Sequence, residues 1–430
     1  MKVIPRDEHT ISRKNISDSA LKVMSRLRNQ GFRAYLVGGA VRDLMLGGHP
    51  KDFDVATDAT PEEVNGVFRN SRIIGRRFRI VHVRFGREII EVTTFRGHHD
   101  SEDTTTRDKS AHSRQSDKGL LLRDNVFGTL EEDAVRRDLT VNALYYDSGT
   151  FEVYDYVHGV ADLKRHNICI IGDPAQRYRE DPVRMLRVMR FAAKLDFSIE
   201  DNTQNAIAGC AALLAEIPAA RLFDEFLKLF MAGYAQRTLE LLLEFDLLQY
   251  LAPASNKKIR RDAQARRLVQ AAMRNTDTRI LDGKPVTPAF ILAALLWPAV
   301  RVKAEQHRGH GEPLQVAINN AGQAVMSEAV QTLSIPKRFS IPMREIWEFQ
   351  SRLERTKGRR AAELVDHRRF RAAYDFLLLR EEAGEDTGEL GDFWTDFQTL
   401  SLEERLSQAG TGEPNQRKRR SRTRRPPASS

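Results

Sequence analysis

The chain has 430 residues, 41% of them hydrophobic and 30% charged, enough for two or three domains around a sizeable core. The net charge of +9 comes from 68 basic against 59 acidic residues. Residues 411–430 hold seven of the basic residues and one acid, so the rest stands nearly balanced at 61 against 58. No apolar run reaches the 18 or so residues of a membrane span, and the opening MKVIPRDEHTISRKN lacks the apolar core of a secretory signal. Cys169 and Cys210 are the only cysteines and lie outside any CxxC spacing, which argues against a disulfide framework or structural zinc. A cytoplasmic protein is expected.

Residues 1–16 are polar and read as an arm. Ser17 to Gln30 has Leu21, Val23, Met24 and Leu27 at helical spacing, closed by Gly31. Tyr35-Leu36-Val37 then reads as a strand entering a helix through Gly38-Gly39, where backbone N–H groups can approach a phosphate closely. Gly47-Gly48-His49-Pro50 turns the chain into a second strand, Asp52-Phe53-Asp54-Val55. Alternation along that strand points Asp52 and Asp54 the same way and Phe53 into the core. Two carboxylates so placed suit Mg²⁺, a hard ion that shares its sphere with substrate phosphates. An isolated Asp-x-Asp is more often a solvated turn; beside a glycine turn it is equipment for metal-assisted nucleotidyl transfer.

Thr60-Pro61-Glu62-Glu63 opens a helix with a capping box. Ile73 to Arg96 reads as a hairpin turning at Gly86-Arg87, with Glu91 on the returning strand. Gly97 to Gly119 is almost devoid of apolar residues and is expected to be a mobile loop, its His98-His99 lacking a second ligand pair. Leu130 to Arg137 is a short helix running into Arg136-Arg137-Asp138, followed by a hairpin around Ser148-Gly149. Ile168 to Ile171 is a strand, Gly172-Asp173-Pro174 a turn, and Asp181-Pro182 the cap and first position of a helix. On that helix Met185, Leu186, Met189, Ala192 and Ala193 form a core face, with Asp181, Arg184, Arg187 and Arg190 along the other side. Spaced three apart, Asp181 and Arg184 are expected as neighbours. After Ile217-Pro218 strand signals nearly vanish. Amphipathic helices are expected over 219–231, 235–251, 289–298, 315–333, 341–355, 360–366 and 369–383, with loops at 252–258 and 306–313. Trp297, Trp347 and Trp394 read as core anchors, and the chain beyond about Gly410 as disordered by composition.

The stretch LVGGAVRDLMLGGHPKDFDV (36–55) resembles the head-domain motif of nucleotidyltransferases related to DNA polymerase beta, in the class II branch holding tRNA CCA-adding enzymes and bacterial poly(A) polymerases. Arg136-Arg137-Asp138 with Asn142 resembles the family's RRDxxxN motif, and the run from Glu180 to Arg187 its EDxxRxxR motif. The resemblance covers about residues 17–260. It implies Asp52 and Asp54 as Mg²⁺ ligands and, with Asp138, as catalytic acids; a third acid such as Glu91 is common on the neighbouring strand, against a merely solvent-facing glutamate. It also implies Gly38, Gly39, Arg42, Asp43, Arg136, Arg137 and Asn142 around the triphosphate and ribose, and Asp181, Arg184 and Arg187 around the base. The segment Gly75-Arg76-Arg77-Phe78-Arg79, Ile335 to Phe339, Phe370 to Arg380 and the arginine-rich tail resemble the poly(A) polymerase branch; Ala40 departs toward the CCA-adding one.

The implied fold is α+β: a nucleotidyltransferase head (17–166) with a mixed β-sheet and helices, an all-α neck for nucleotide recognition (167–260), a helical RNA-binding body (261–410) and a disordered basic tail (411–430). The implied activity is addition of AMP from ATP to RNA 3′ ends, promoting RNA turnover, with RNA, ATP and RNA-degradation proteins as partners and a monomer as the state. The alternatives are a CCA-adding enzyme and an inactive RNA-binding adaptor; the intact acidic positions argue against the last.

Overall fold

The computed structural model describes residues 1–75, 79–97, 113–115, 121–124 and 126–410. Residues 76–78 of the basic segment, the histidine pair at 98–99 and the tail 411–430 lie outside them. The described chain forms two compact units, the first comprising Met1–Pro253, Thr276–Lys284 and Gln331–Ser334, the second 254–275, 285–330 and 335–410.

The first unit begins with β1 (Lys2–Ile4), α1 (Asp18–Asn29), β2 (Ala34–Val37), α2 (Gly39–Met45), β3 (Asp54–Thr57) and α3 (Pro61–Val67). Then come β4 (Ser71–Ile74), β5 (Ile80–Phe85), β6 (Glu88–Thr94), β7 (Ser113–Gln115), β8 (Leu121–Asp124) and α4 (Leu130–Arg136). They are followed by β9 (Leu144–Tyr146), β10 (Val153–Asp155), α5 (Gly159–Arg165), β11 (Asn167–Ile168), α6 (Pro174–Glu180) and α7 (Val183–Leu195). β12 (Ser198–Ile199), α8 (Asp201–Cys210), α9 (Ala219–Phe230) and α10 (Ala235–Glu244) complete it.

Eight strands make one sheet in the order β1-β10-β9-β2-β3-β6-β5-β4. Neighbours are antiparallel except β3 and β6, which run parallel with Asp54 opposite Glu91. That pairing is possible because α3, β4 and β5 intervene in sequence and let the chain return in the same direction. The expected signals hold at α1 and α3. Ser17 accepts from the Ala20 N–H, and Thr60 forms a capping box with Glu63. The hairpin of β5 and β6 turns at Gly86, whose φ of +61° suits glycine.

Four readings need correction. Residues 1–16 are not a free arm: β1 extends the sheet edge, Ile4, Ile11 and Ile16 are buried, and the His9 ring nitrogen Nε2 lies 2.8 Å from the Phe151 carbonyl. Part of the expected loop after Gly97 is paired, β7 against β8. Asp173-Pro174 starts α6 rather than a turn, with the Asp173 carboxylate accepting from the Gln176 N–H. Consequently Asp181 ends α6, and α7 begins after Pro182 with no side-chain cap.

The helices of the remaining chain are α11 (Pro253–Arg261), α12 (Ala263–Leu281), α13 (Pro288–Gly309), α14 (Leu314–Leu333), α15 (Lys337–Leu353), α16 (Arg359–Leu364), α17 (Phe370–Glu382), α18 (Leu390–Phe397) and α19 (Leu402–Gln408). The loop expected at 252–258 is largely α11, whose single buried aliphatic, Ile259, left no periodicity to read; α13 likewise runs on through half of the second expected loop. No strand occurs among the described residues of the second unit. Its core closes on the tryptophans. The Trp347 indole donates to the Ala293 carbonyl at 3.0 Å and that of Trp394 to Leu353 at 2.9 Å, satisfying N–H groups that burial would otherwise strand. Trp297 is 4% exposed and edge-on to Phe376.

Candidate active site

Directly paired residues on neighbouring strands share a face, so the registers place Tyr145, Val37, Asp54, Glu91 and His82 in one row across the sheet. Asp54 is the first residue of β3, Phe53 before it is buried, and Asp52 lies exposed just outside the strand. Exposure thus alternates from Asp52 through Phe53 to Asp54, although the strand begins at Asp54 rather than at Asp52. Gly38 turns into α2 with φ +76°, a conformation that disfavours a side chain. A Cβ there would sit 3.7 Å from an Arg137 guanidinium nitrogen and 3.9 Å from Asp54 Oδ2. Glycine thus keeps open the gap between carboxylate and guanidinium.

Asp54 carries an uneasy negative charge. Burial, then Glu91 and Asp52, push its carboxyl up to about 6, with Arg137 pulling the other way. Glu91, left open by the sequence, is thus a close electrostatic neighbour of Asp54, and its Oε1 lies 3.2 Å from His82 Nε2. Arg137 is aimed by its surroundings. Its Nε donates to the Tyr145 hydroxyl at 2.9 Å and to Asp133 Oδ2 at 3.2 Å, and the tyrosine in turn donates to Asp133 at 2.5 Å. Arg136 turns away and donates to the Gly97 carbonyl.

Arg42, expected around the triphosphate and ribose, lies against the glycine turn, its guanidinium 3.4 Å from where a Gly39 Cβ would sit. It is 1% exposed, with Nε donating to Asp43 at 2.8 Å, Nη1 to Asn142 at 2.5 Å, and its plane 5.1 Å from the Phe191 ring centre. Asp43 also receives Lys194 at 3.3 Å. Arg42, Asp43 and Asn142 are therefore knitted into one support beneath the glycine turn. Nothing in a 3.6-residue period distinguishes an inward from an outward arginine on so short a helix.

Asp138 is likewise engaged. Its Oδ1 accepts from Arg184 Nε at 2.9 Å and its Oδ2 pairs with Arg187. Burial alone would raise its carboxyl, but Arg187 and Arg184 outweigh that and hold it well below the usual range. Asp181 and Arg184 remain neighbours, the Arg184 N–H donating to the Asp181 carbonyl at 3.0 Å, but they do not share one helix, because α6 ends at Asp181 and α7 begins after Pro182. Asp181 Oδ2 accepts from Arg221 at 2.6 Å, and its buried Oδ1 has no hydrogen-bond partner. Arg184 bonds Glu180 at 2.9 Å and the Arg177 carbonyl at 2.8 Å. Arg177 and Arg221 escaped the sequence reading. Arg177 sits on the helix misread as a turn, and Arg221 lies 40 residues from its partner.

A mixed sheet with a glycine turn against a strand carboxylate, and the Arg137 guanidinium across the gap, fits a nucleotidyltransferase head. Residues 34–169 match the Poly A polymerase head domain, 196–259 the Probable RNA and SrmB- binding site of polymerase A, and 310–426 the Polymerase A arginine-rich C-terminus. The sequence is 49% identical over 407 residues to Poly(A) polymerase I of Escherichia coli O157:H7, covering 92% of this chain and 85% of the relative. It is 43% identical to Poly(A) polymerase I of Haemophilus influenzae, covering 94% and 89%. Likeness to the CCA-adding enzyme of Bacillus licheniformis, at 38% identity, covers only 56% and 57%. Among solved structures, the Bacillus stearothermophilus CCA-adding enzyme in complex with CTP has a TM-score of 0.58 at 25% identity, covering 90% of this chain and 81% of that one. The chain belongs to the poly(A) polymerase I family.

Proposed function

We infer that the protein adds AMP from ATP to the 3′-hydroxyl of RNA without a template, releasing pyrophosphate, and serves RNA turnover in the cytoplasm. The observation that carries the reading is the juxtaposition of Gly38, Arg137 and Asp54, with Glu91 beside the last. The new bond joins the RNA 3′-oxygen to the α-phosphorus, the bond to the pyrophosphate oxygen breaks, and the hydroxyl proton is released. Among the described residues no three His, Cys, Asp or Glu side chains form a ready-made metal cluster. The donor set nonetheless fits Mg²⁺: Asp52 and Asp54 offer oxygen ligands in a place with surplus negative charge, and phosphates and water complete such spheres. Held by Asp52 and Asp54, Mg²⁺ would supply charge neutralisation for the triphosphate and a lower pKa for the attacking hydroxyl. Arg137 takes the α-phosphate side, Gly38-Gly39 let the chain approach closely, and Arg42 with Asn142 keeps that turn in place. Asp181, with its Oδ1 unpartnered, would accept from the exocyclic amino group of adenine, where guanine and uracil present an acceptor instead.

The deciding assay offers each of the four NTPs with oligo(A) and with tRNA lacking its CCA end. Strong ATP preference on oligo(A) is expected; efficient CTP addition to the trimmed tRNA would instead support a CCA-adding enzyme. Asp181→Asn should reduce the ATP-to-GTP ratio of kcat/KM about tenfold or more, since guanine presents an acceptor where adenine has its amino donor and a site built on hydrogen bonds discriminates through them. An unchanged ratio in a folded variant would restrict Asp181 to its Arg221 pair.

RNA would have a landing place on α11. Lys257, Lys258 and Arg261 line the exposed face of α11 opposite buried Ile259, with no acid on the helix. Such a face suits sequence-independent contact with phosphates. Replacing all three by alanine should lower the log–log salt slope for long single-stranded RNA by roughly two, at about 0.7 per contact. Short oligo(A) turnover at saturation should hardly move. Parallel salt lines would remove this face from the RNA path.

A further inference from the structure

Arg177 occupies the middle of the network without contacting the catalytic carboxylates. Its Nη2 donates to the carbonyls of both Arg136 and Arg137, at 2.6 and 2.7 Å, and its Nη1 to Glu180 at 2.8 Å. The same Glu180 oxygen receives Arg184, which also donates to the Arg177 carbonyl. One guanidinium thus closes the C-terminal end of α4, where the last helical carbonyls lack partners within the helix. It ties that end to α6 and, through Glu180 and Arg184, to α7. Two consequences lie on either side of the tie. Toward the sheet, the clamped backbone carries Arg137, whose guanidinium flanks Gly38 and Asp54. Toward the helices, it carries Asp138, whose carboxylate grips Arg184 and Arg187.

The site is costly to maintain. Burial, and then the positive charges of Arg184 and Arg136 among its neighbours, make the protonated guanidinium of Arg177 less comfortable than in water, against Glu180 and Asp138. A buried cation held among cations needs a reason beyond filling space, and a lysine could not reach two carbonyls and a carboxylate in one plane.

We propose that Arg177 is a positioning residue that couples choice of the nucleotide on α7 to transfer of its phosphoryl group beside Asp54, an inference that rests on the nucleotidyltransferase reading above. Without it, the segment 136–138 loses its tie to α6, and Arg137, still on Asp133 and Tyr145, is free to shift independently of the α7 arginines. A shift of an ångström at a reacting centre costs about a hundredfold in rate.

The test measures kcat and KM for the four NTPs on oligo(A) with full-length wild type, Arg177→Ala and Arg177→Lys, each checked by thermal melting. Arg177→Ala should lose about a hundredfold in kcat for ATP with KM changed only a few-fold. Its ATP-to-CTP ratio of kcat/KM should fall about tenfold or more. Arg177→Lys should recover part of the rate and little of the selectivity, and added guanidinium ion at low millimolar concentration should restore rate to Arg177→Ala but not to Asp54→Ala. A folded alanine variant with unchanged kcat and selectivity, or one slowed equally for every NTP and not rescued, overturns the proposal. If Arg177→Ala does not fold, Arg177→Lys decides: wild-type selectivity overturns the coupling. A wild-type protein inert with all four NTPs would bring down the functional reading, and this one with it.

Discussion

Asp54→Ala is expected to reduce AMP transfer by about a thousandfold or more, because a metal-binding carboxylate supplies several kcal/mol of charge stabilisation in the transition state. The same substitution should leave the melting temperature unchanged or slightly raised. Asp54 is held near Glu91 and Asp52, and burial and these charges push its carboxyl up to about 6, so the folded protein gains by losing the charge. A functional residue that weakens its own fold is the pattern expected where the site is arranged for a ligand. Asp52→Ala should behave alike in activity, and Glu91→Gln should show a smaller loss. Extension of oligo(A) with radiolabelled ATP, run beside thermal melts, reads both quantities. Near-wild-type extension by the Asp54 variant would sink the assignment.

Asp138→Ala should do the opposite to stability. It removes one of the two carboxylate partners of Arg184, which is 8% exposed and keeps Glu180, and the Asp138 partner of Arg187. Breaking such a pair from one side costs about 3–5 kcal/mol. Activity should fall as well, through displacement of α7 rather than loss of a reacting group. The pH dependence follows from the sign of the shift. Arg187 and Arg184 depress the folded Asp138 carboxyl below its unfolded value. Its contribution is therefore fully present above the ordinary carboxylate range and shrinks as pH falls through and below about 4 toward the folded value. Melting curves of wild type and Asp138→Asn should converge with acidification. A gap independent of pH would mean that the carboxylate's charge is not what matters there.

Much of the site was legible in the sequence because its geometry is local. Gly38-Gly39 needs no distant partner to make a turn that approaches closely, and period-two alternation alone sends Asp52 and Asp54 outward and Phe53 inward. Thr60-Pro61-Glu62-Glu63 specifies its own helix start, and Asp173-Pro174 follows the same grammar. That start makes Asp181 the end of α6 rather than the cap of α7, so Asp181 and Arg184 lie on either side of a helix break.

What only the tertiary structure decided is which charge meets which. Glu91 lies 37 positions beyond Asp54, and its place beside that carboxylate follows from the parallel pairing of β3 with β6. Arg42 and Arg137 look equivalent in the chain, yet one is sealed against Asn142 and Phe191 while the other is held on Asp133 and Tyr145 and flanks Gly38. Asp138, expected among the catalytic acids, is joined to Arg184 and Arg187 of α7. Residue type and spacing set the direction of a side chain from its own backbone. The partner at the end of a long guanidinium is set by strand register and helix packing, where a desolvated charge must find its opposite wherever the fold brings one within reach.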